Sequence, residues 1–231
     1  YLGIKGGGTR LSHAHMDAGS FVIESEGVYF VQELGNERYI NIEKLGLNLW
    51  GGEQDGDRWK LFRYGPLGHS IIRIDDDLQL VTGFATMTNV KRNPDGHCSL
   101  DVELSSLYAN AESVVRSVDF TPRRIRFTDT LTGLKPGAKI TFQFCTKTDL
   151  ADGGANSILM SSKGKFMQVK AELPGGAEIK WSNALADSFR KEYEAKNGNA
   201  KVVWFETVAP ASGKVSYSVE FIPGNGQAAT R

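Results

Sequence analysis

Cysteine is nearly absent from this chain: Cys98 and Cys145 are the only two in 231 residues. Two thiols make no disulfide framework, so a hydrophobic core must hold the fold, and the pair reads as buried free thiols. Proline is scarce, at seven residues, and three of these sit in turn sequences: Asn93-Pro94-Asp95-Gly96, Lys135-Pro136-Gly137 and Pro174-Gly175-Gly176. Neither sign of charge is in excess. Lys plus Arg and Asp plus Glu both number 27, which argues against a protein built to bind nucleic acid nonspecifically. A local basic groove for an acidic polymer remains compatible with that balance. No apolar run approaches membrane-spanning length, and no signal-peptide pattern is visible. The chain opens on Tyr1 rather than Met, as a processed product or an excised fragment would. Helix-period patterning is thin as well.

What is present is period-two alternation, with β-branched and aromatic residues between turn signals. Strands are predicted over Gly19–Ser25, Val28–Glu33, His69–Ile74, Gly83–Asn89, Ser99–Glu103, Ser113–Phe120, Arg124–Thr130, Lys139–Thr146, Lys165–Glu172, Ala177–Trp181, Ala200–Thr207 and Lys214–Ile222. Many short strands at this spacing predict an all-β fold: a two-layer antiparallel β-sandwich with few or no helices, in one domain over residues 1–231. Ser105–Glu112 and Asn183–Asn197 each suit a short helix or an irregular crossing. Between Asn41 and Tyr64 the pattern becomes irregular and rich in Gly, Trp and charge. It reads as a long loop, and long loops in compact domains are often functional.

The densest chemistry lies in Ser12-His13-Ala14-His15-Met16-Asp17-Ala18-Gly19-Ser20-Phe21. Half of the chain's four histidines are here. On a strand, His13, His15 and Asp17 would share a face. Glu33 and His69 follow at a distance, and two imidazoles with one carboxylate form a known zinc ligand set. Read from these residues alone, they are either a metal site or polar strand residues with His69 capping a turn. Trp50, Trp59 and Tyr64 share the long loop with Arg58 and Arg63. Aromatics beside cations suit sugar stacking and carboxylate or sulfate contacts, and they equally suit packing of the loop onto the sandwich.

Together these motifs resemble the C-terminal β-sandwich of the heparinase II/III-like polysaccharide lyases. The run from His13 to Phe21 is similar to that family's H-x-H-x-D-x-G-S-F signature. Glu33-Leu34-Gly35 with Tyr39 matches an acid-x-Gly step, and Gly68-His69-Ser70-Ile71 a Gly-His pair entering a strand. Asp101–Tyr108, Arg116–Phe120 and Phe127–Leu131 match more weakly. The resemblance implies zinc held by His15, Glu33 and His69, with Glu33 standing where the family usually has Asp. It implies that His13 faces the substrate cleft as the catalytic contribution of this half, with Asp17 and Ser20 behind the metal site. It also implies an upstream α/α toroid supplying the remaining catalytic groups, an acidic polysaccharide substrate such as a glycosaminoglycan, and a periplasmic or secreted location. The reaction implied is β-elimination, and the isolated chain is expected to be inactive. Trp50, Trp59, Arg63 and Tyr64 are the expected substrate-binding residues. A noncatalytic carbohydrate-binding or structural sandwich is the alternative. A cupin-type metalloenzyme fits less well, because Gly19 and Ser20 stand where that pattern wants Glu.

Overall fold

The computed structural model describes residues 1–11 and 13–224. The chain opens with β1 (Leu2–Ile4) and β2 (Gly7–Gly8), then β3 (Phe21–Ser25) and β4 (Val28–Val31). The long loop follows, with a single α-helical turn, α1 (Tyr39–Glu43), and then β5 (Ile72–Ile74). From there come β6 (Phe84–Arg92), β7 (Cys98–Glu103), β8 (Ser113–Thr121), β9 (Arg124–Thr132) and β10 (Lys139–Thr146). The last six are β11 (Asp149–Asp152), β12 (Ser157–Ser162), β13 (Lys165–Glu172), β14 (Ser182–Leu185), β15 (Lys201–Val208) and β16 (Val215–Gly224).

One layer is a nine-stranded sheet in the order β11-β12-β13-β16-β9-β8-β7-β6-β2. Opposite it lie a four-stranded sheet, β14-β15-β10-β5, and a three-stranded one, β1-β3-β4. The two small sheets meet at β10, where the Gln32 amide just past β4 donates to the Cys145 carbonyl at 3.0 Å. Every pairing is antiparallel. The predicted two-layer β-sandwich is thus the observed fold.

Alternation makes the core. Val114 and Val118 on β8, Ile125, Phe127 and Leu131 on β9, and Val219 and Phe221 on β16 point inward. They meet Phe142 and Phe144 of β10, Phe205 of β15 and Phe21 of β3. Rings from the two layers interlock, with Phe21–Phe127 centroids 4.4 Å apart and Phe144–Phe221 5.4 Å apart. Each such side chain gives roughly 1.5–3 kcal/mol relative to exposure.

A polar knot sits inside this apolar layer. Arg116 on β8 is paired in register with Asp129 on β9, and both side chains are fully buried. The guanidinium donates through Nε and Nη2 to the two carboxylate oxygens, each at 2.8 Å, and through Nη1 to the Gly19 carbonyl at 3.0 Å. Gly19 has φ +84°, and a Cβ there would lie 2.9 Å from the Leu104 side chain. Glycine is therefore required by both conformation and space.

Several expectations shift. Ala177–Trp181 makes no ladder; pairing begins one residue later, at Ser182. The hairpin of β11 and β12 escaped the sequence reading because its two short strands carry little alternation. Ser105–Leu107 and Ala186–Ser188 are single 3-10 turns. Both cysteines are free, Cys145 buried but Cys98 only partly so.

Candidate functional site

The segment before β3 is not a strand. His13 has φ +63°, a left-handed conformation that bends the chain and ends any common face with His15. The expected alignment of His13, His15 and Asp17 on one strand face is thereby corrected. The bend separates two environments. His13 is exposed, while His15 turns inward and Asp17 is buried.

On the outer side, His13 lies against two rings of the long loop. Its Nδ1 is 3.1 Å from the Tyr39 hydroxyl, and its ring stacks on Tyr39 at 6.0 Å. Trp50 meets it edge-on at 5.4 Å and meets Tyr39 at 5.3 Å. The Trp50 indole N–H donates to Glu43 at 3.0 Å, yet the residue is 53% exposed. The result is an accessible aromatic patch with an imidazole at its edge.

On the inner side, His15, Asp17 and His69 converge, with ligating atoms within 4.8 Å of one another. The His15 and His69 ring centroids are 5.2 Å apart. A 3-10 turn, Pro66–Gly68, delivers His69. A Cβ on Gly68 would sit 2.4 Å from the Phe62 carbonyl, so the turn closes only with glycine there. His69 is 2% exposed, and its Nδ1 contacts the Glu33 carboxylate oxygen Oε2. Its Nε2 and the Glu33 Oε1 are buried without a partner. Asp17 differs: both its oxygens accept from Lys5 Nζ at 2.7 Å.

The electrostatics follow from this packing. Burial, then the neighbouring His69, Arg58 and Lys5, push the His15 pKa down to about 3, so His15 is neutral near neutral pH. Burial works against charge on His69, but Glu33, through charge and hydrogen bond, outweighs it and raises that pKa. One imidazole of the pair is held neutral and the other is inclined to carry charge. The buried Nε2 of His69 is costly without a partner, and a cation bound there would lie away from Glu33, which holds the other ring nitrogen. The donors that converge, two imidazoles and the Asp17 carboxylate, fit a divalent ion such as zinc, while the expected ligand Glu33 lies outside that cluster.

The remaining expected sugar contacts separate. Trp50 offers an open ring, but Trp59 is 4% exposed and Tyr64 is fully buried, with its ring 4.5 Å from His15. Neither has a face for a sugar, which corrects the expectation for those two. Arg63 is engaged elsewhere, donating to Asn197 Oδ1 at 2.9 Å and to the carbonyls of Asn36 and Lys196 at 2.8 and 3.0 Å. Tyr39 was legible only as the tyrosine after the Glu33-Leu34-Gly35 step. Its place against His13 depends on α1, which the loop's composition hides.

Comparison with known proteins now decides the family. A sequence profile described as Heparinase II/III-like, C-terminal, matches residues 2–218. The chain belongs to this family. Among solved structures, the heparinase II/III-like sandwich is similar to a heparinase III gene product, with TM-score 0.69, 18% identity, 96% of this chain covered and 32% of that one. It is similar to the heparan sulfate lyase HepC of Pedobacter heparinus, with TM-score 0.68, 18% identity, and 94% and 32% covered. A further heparinase III gives TM-score 0.67, 15% identity, and 96% and 32% covered. At such identities the likeness is one of fold, and the chain spans 32% of the length of these structures. No curated protein matches the sequence. Among the described residues, no helix is long and apolar enough to cross a membrane.

Proposed function

We propose that this sandwich is one part of a polysaccharide lyase that cleaves a uronic-acid-containing polymer by β-elimination, with the His13 patch as one wall of the cleft. The observation that carries the reading is the exposed His13, stacked on Tyr39 and met edge-on by Trp50, two residues before His15 of the inner histidine pair. In β-elimination a base removes the proton α to the uronate carboxylate, and an acid protonates the departing glycosidic oxygen. The α proton becomes acidic enough only when the carboxylate charge is offset. In this reading His13 hydrogen-bonds that carboxylate while Trp50 and Tyr39 lie against the sugar ring. The base and acid come, in this reading, from an α/α toroid elsewhere in a longer chain. Glycosaminoglycans of the heparan type are the proposed substrate, and a periplasmic or secreted location goes with such a polymer.

His15 and His69 would hold a divalent metal, for which zinc is proposed, with Asp17 as the carboxylate that converges with them. Glu33 would orient His69 through its Nδ1 rather than bind the ion. The metal would supply rigidity beneath the cleft wall. This chain's own residues do the rest: His13 binds carboxylate, Tyr39 and Trp50 orient the ring, and Tyr64 shields His15 from water.

The test follows ultraviolet absorbance of unsaturated uronates released from heparan sulfate, chondroitin or alginate. The sandwich alone is expected to bind a heparan sulfate oligosaccharide without turning it over. The longer chain is expected to turn it over, and to lose most of that activity on His13→Ala. Full activity of the His13→Ala enzyme would remove His13 from the cleft. Binding without turnover by any longer chain would favour a carbohydrate-binding module.

A further inference from the structure

Arg58 is only 5% exposed, yet it pairs with no carboxylate among the described residues. It lies in a short 3-10 turn, Asp57–Lys60, in the middle of the long loop. Its Nη1 donates to the Leu49 carbonyl at 2.9 Å, and its Nη2 donates to the Ala14 carbonyl. Its guanidinium carbon lies over two rings, 5.3 Å from the Trp59 centroid and 5.1 Å from that of Tyr64. Burying a guanidinium without a counter-ion is unfavourable unless its donors are well used and its faces covered. Here the two used donors reach two particular loops. Ala14 stands between His13 and His15, and Leu49 precedes Trp50.

We infer that Arg58 is a positioning residue for the His13 patch: its two-pronged fork fixes the His13–His15 segment and the Trp50 loop as one rigid surface. The inference rests on the lyase reading for its functional consequence. Arg58 itself touches no sugar in this arrangement, since Trp59 and Tyr64 cover it. Two further tethers support the same surface. The Met16 amide donates to the Tyr64 carbonyl at 2.8 Å, and the Asn48 side chain accepts from the Trp50 and Gly51 amides at 3.0 and 3.1 Å. Neither of them links the two loops directly. Only a planar fork with separated donors reaches both carbonyls at once, so lysine is not an equivalent replacement.

The experiment compares Arg58→Lys, Arg58→Met and a core control, Val219→Ala, whose residue is fully buried on β16 away from the patch. The readout is the imidazole proton signal of His13. Tyr39 and Trp50 displace it by ring currents, and its assignment follows from its loss in His13→Asn among only four histidines. Both Arg58 variants are expected to move the His13 signal toward that of a free histidine. Val219→Ala is expected to lower Tm and leave the signal in place. Affinity for a heparan sulfate oligosaccharide should fall by about 10- to 100-fold in the Arg58 variants, the range usual for residues that orient others, and stay unchanged in Val219→Ala. Should Arg58→Met not fold, Arg58→Lys carries the comparison alone. An unmoved His13 signal in the Arg58 variants, or an equal movement in Val219→Ala, would overturn the inference. If the unaltered chain binds no oligosaccharide, the lyase reading falls, while the His13 signal still decides the role of Arg58.

Discussion

Among the described residues two arginines are buried, and they hold opposite ends of the same segment. Arg116 reaches the Gly19 carbonyl from inside the core, and Arg58 reaches the Ala14 carbonyl from the long loop. Their charges are treated differently. Arg116 meets Asp129 in a bidentate pair and lies 5.4 Å from the rings of Phe21, Phe127 and Phe142. Arg58 has carbonyls and two rings but no carboxylate. A locally neutralised pair can be exchanged as a unit, because removing both members leaves no buried charge unmatched and only the Gly19 carbonyl without its donor. An arginine bound to backbone carbonyls has no side-chain partner to remove with it. The first arrangement anchors a fold, and the second couples loops.

The sharpest way to break that comparison is to cut the Arg116 pair on one side. Arg116→Met or Asp129→Leu should destabilise by about 3–5 kcal/mol, because a buried charge is left alone. The double variant should recover most of that loss in urea unfolding. Arg58→Met should cost less, about 1–3 kcal/mol for two carbonyls left without donors, and no second substitution should restore it. Recovery absent in the Arg116/Asp129 double variant would mean the pair specifies the core beyond its charge balance.

Much of the sandwich could be read from the chain because alternation is a local signal. Lys165–Glu172 has the predicted bounds because every second residue enters one core, and Lys139–Thr146 because its run of β-branched and aromatic residues is buried on both faces. The histidine cluster was legible for another reason: Gly68 and Gly19 are fixed by close approach, so the motif around each cannot drift. What the sequence hid depends on nonlocal geometry. Nothing near Arg58 announces that it faces inward while Trp50 faces outward, since both sit in one irregular loop. The His13 bend was hidden too, because His-x-His reads as alternation until the left-handed φ is known.

Next in size is the metal. Ligand in excess stabilises by mass action, about 2.7 kcal/mol at a hundredfold over Kd, so added zinc should raise Tm and a chelator should lower it. His69→Ala should abolish the shift. Asp17→Asn should weaken it more than Glu33→Gln, because Asp17 converges with both imidazoles while Glu33 acts through His69. The reverse ranking would transfer the carboxylate role to Glu33. Arg58 variants should leave the metal shift largely intact if their effect stays with the His13 patch.

The pH dependence in chelator separates the inner histidines. His15 has its folded pKa lowered from 6.5 to about 3, so between those values the unfolded chain binds the proton and the folded one does not. Its contribution is complete above pH 6.5 and is lost as pH falls toward 3. His69 acts in the opposite sense: its raised pKa gives stability that is present below 6.5 and lost as pH rises through the folded value. His15→Gln should therefore flatten the acid limb of the stability curve and leave the neutral limb alone. An unchanged acid limb would mean that His15 is solvated in the folded protein.

The smallest effect lies at the bend between the two environments. A non-glycine residue in the left-handed region costs about 1–2 kcal/mol, and Asn bears it better than most because its short polar side chain bonds locally. His13 occupies that region with φ +63° while its ring packs on Tyr39 and Trp50. Substitution therefore changes two things of opposite sign, the backbone strain and the ring contact. His13→Gly should relieve the strain and remove the contact, leaving Tm within a few degrees of the unaltered chain. His13→Asn should behave similarly, whereas His13→Ala should lose the contact and keep the strain, and so be the least stable of the three. All three should lose oligosaccharide affinity alike if the imidazole binds the uronate. If His13→Asn and His13→Gly bind normally and only His13→Ala is weakened, the residue serves the bend rather than the sugar. The carboxylate contact would then have to come from another group on the patch.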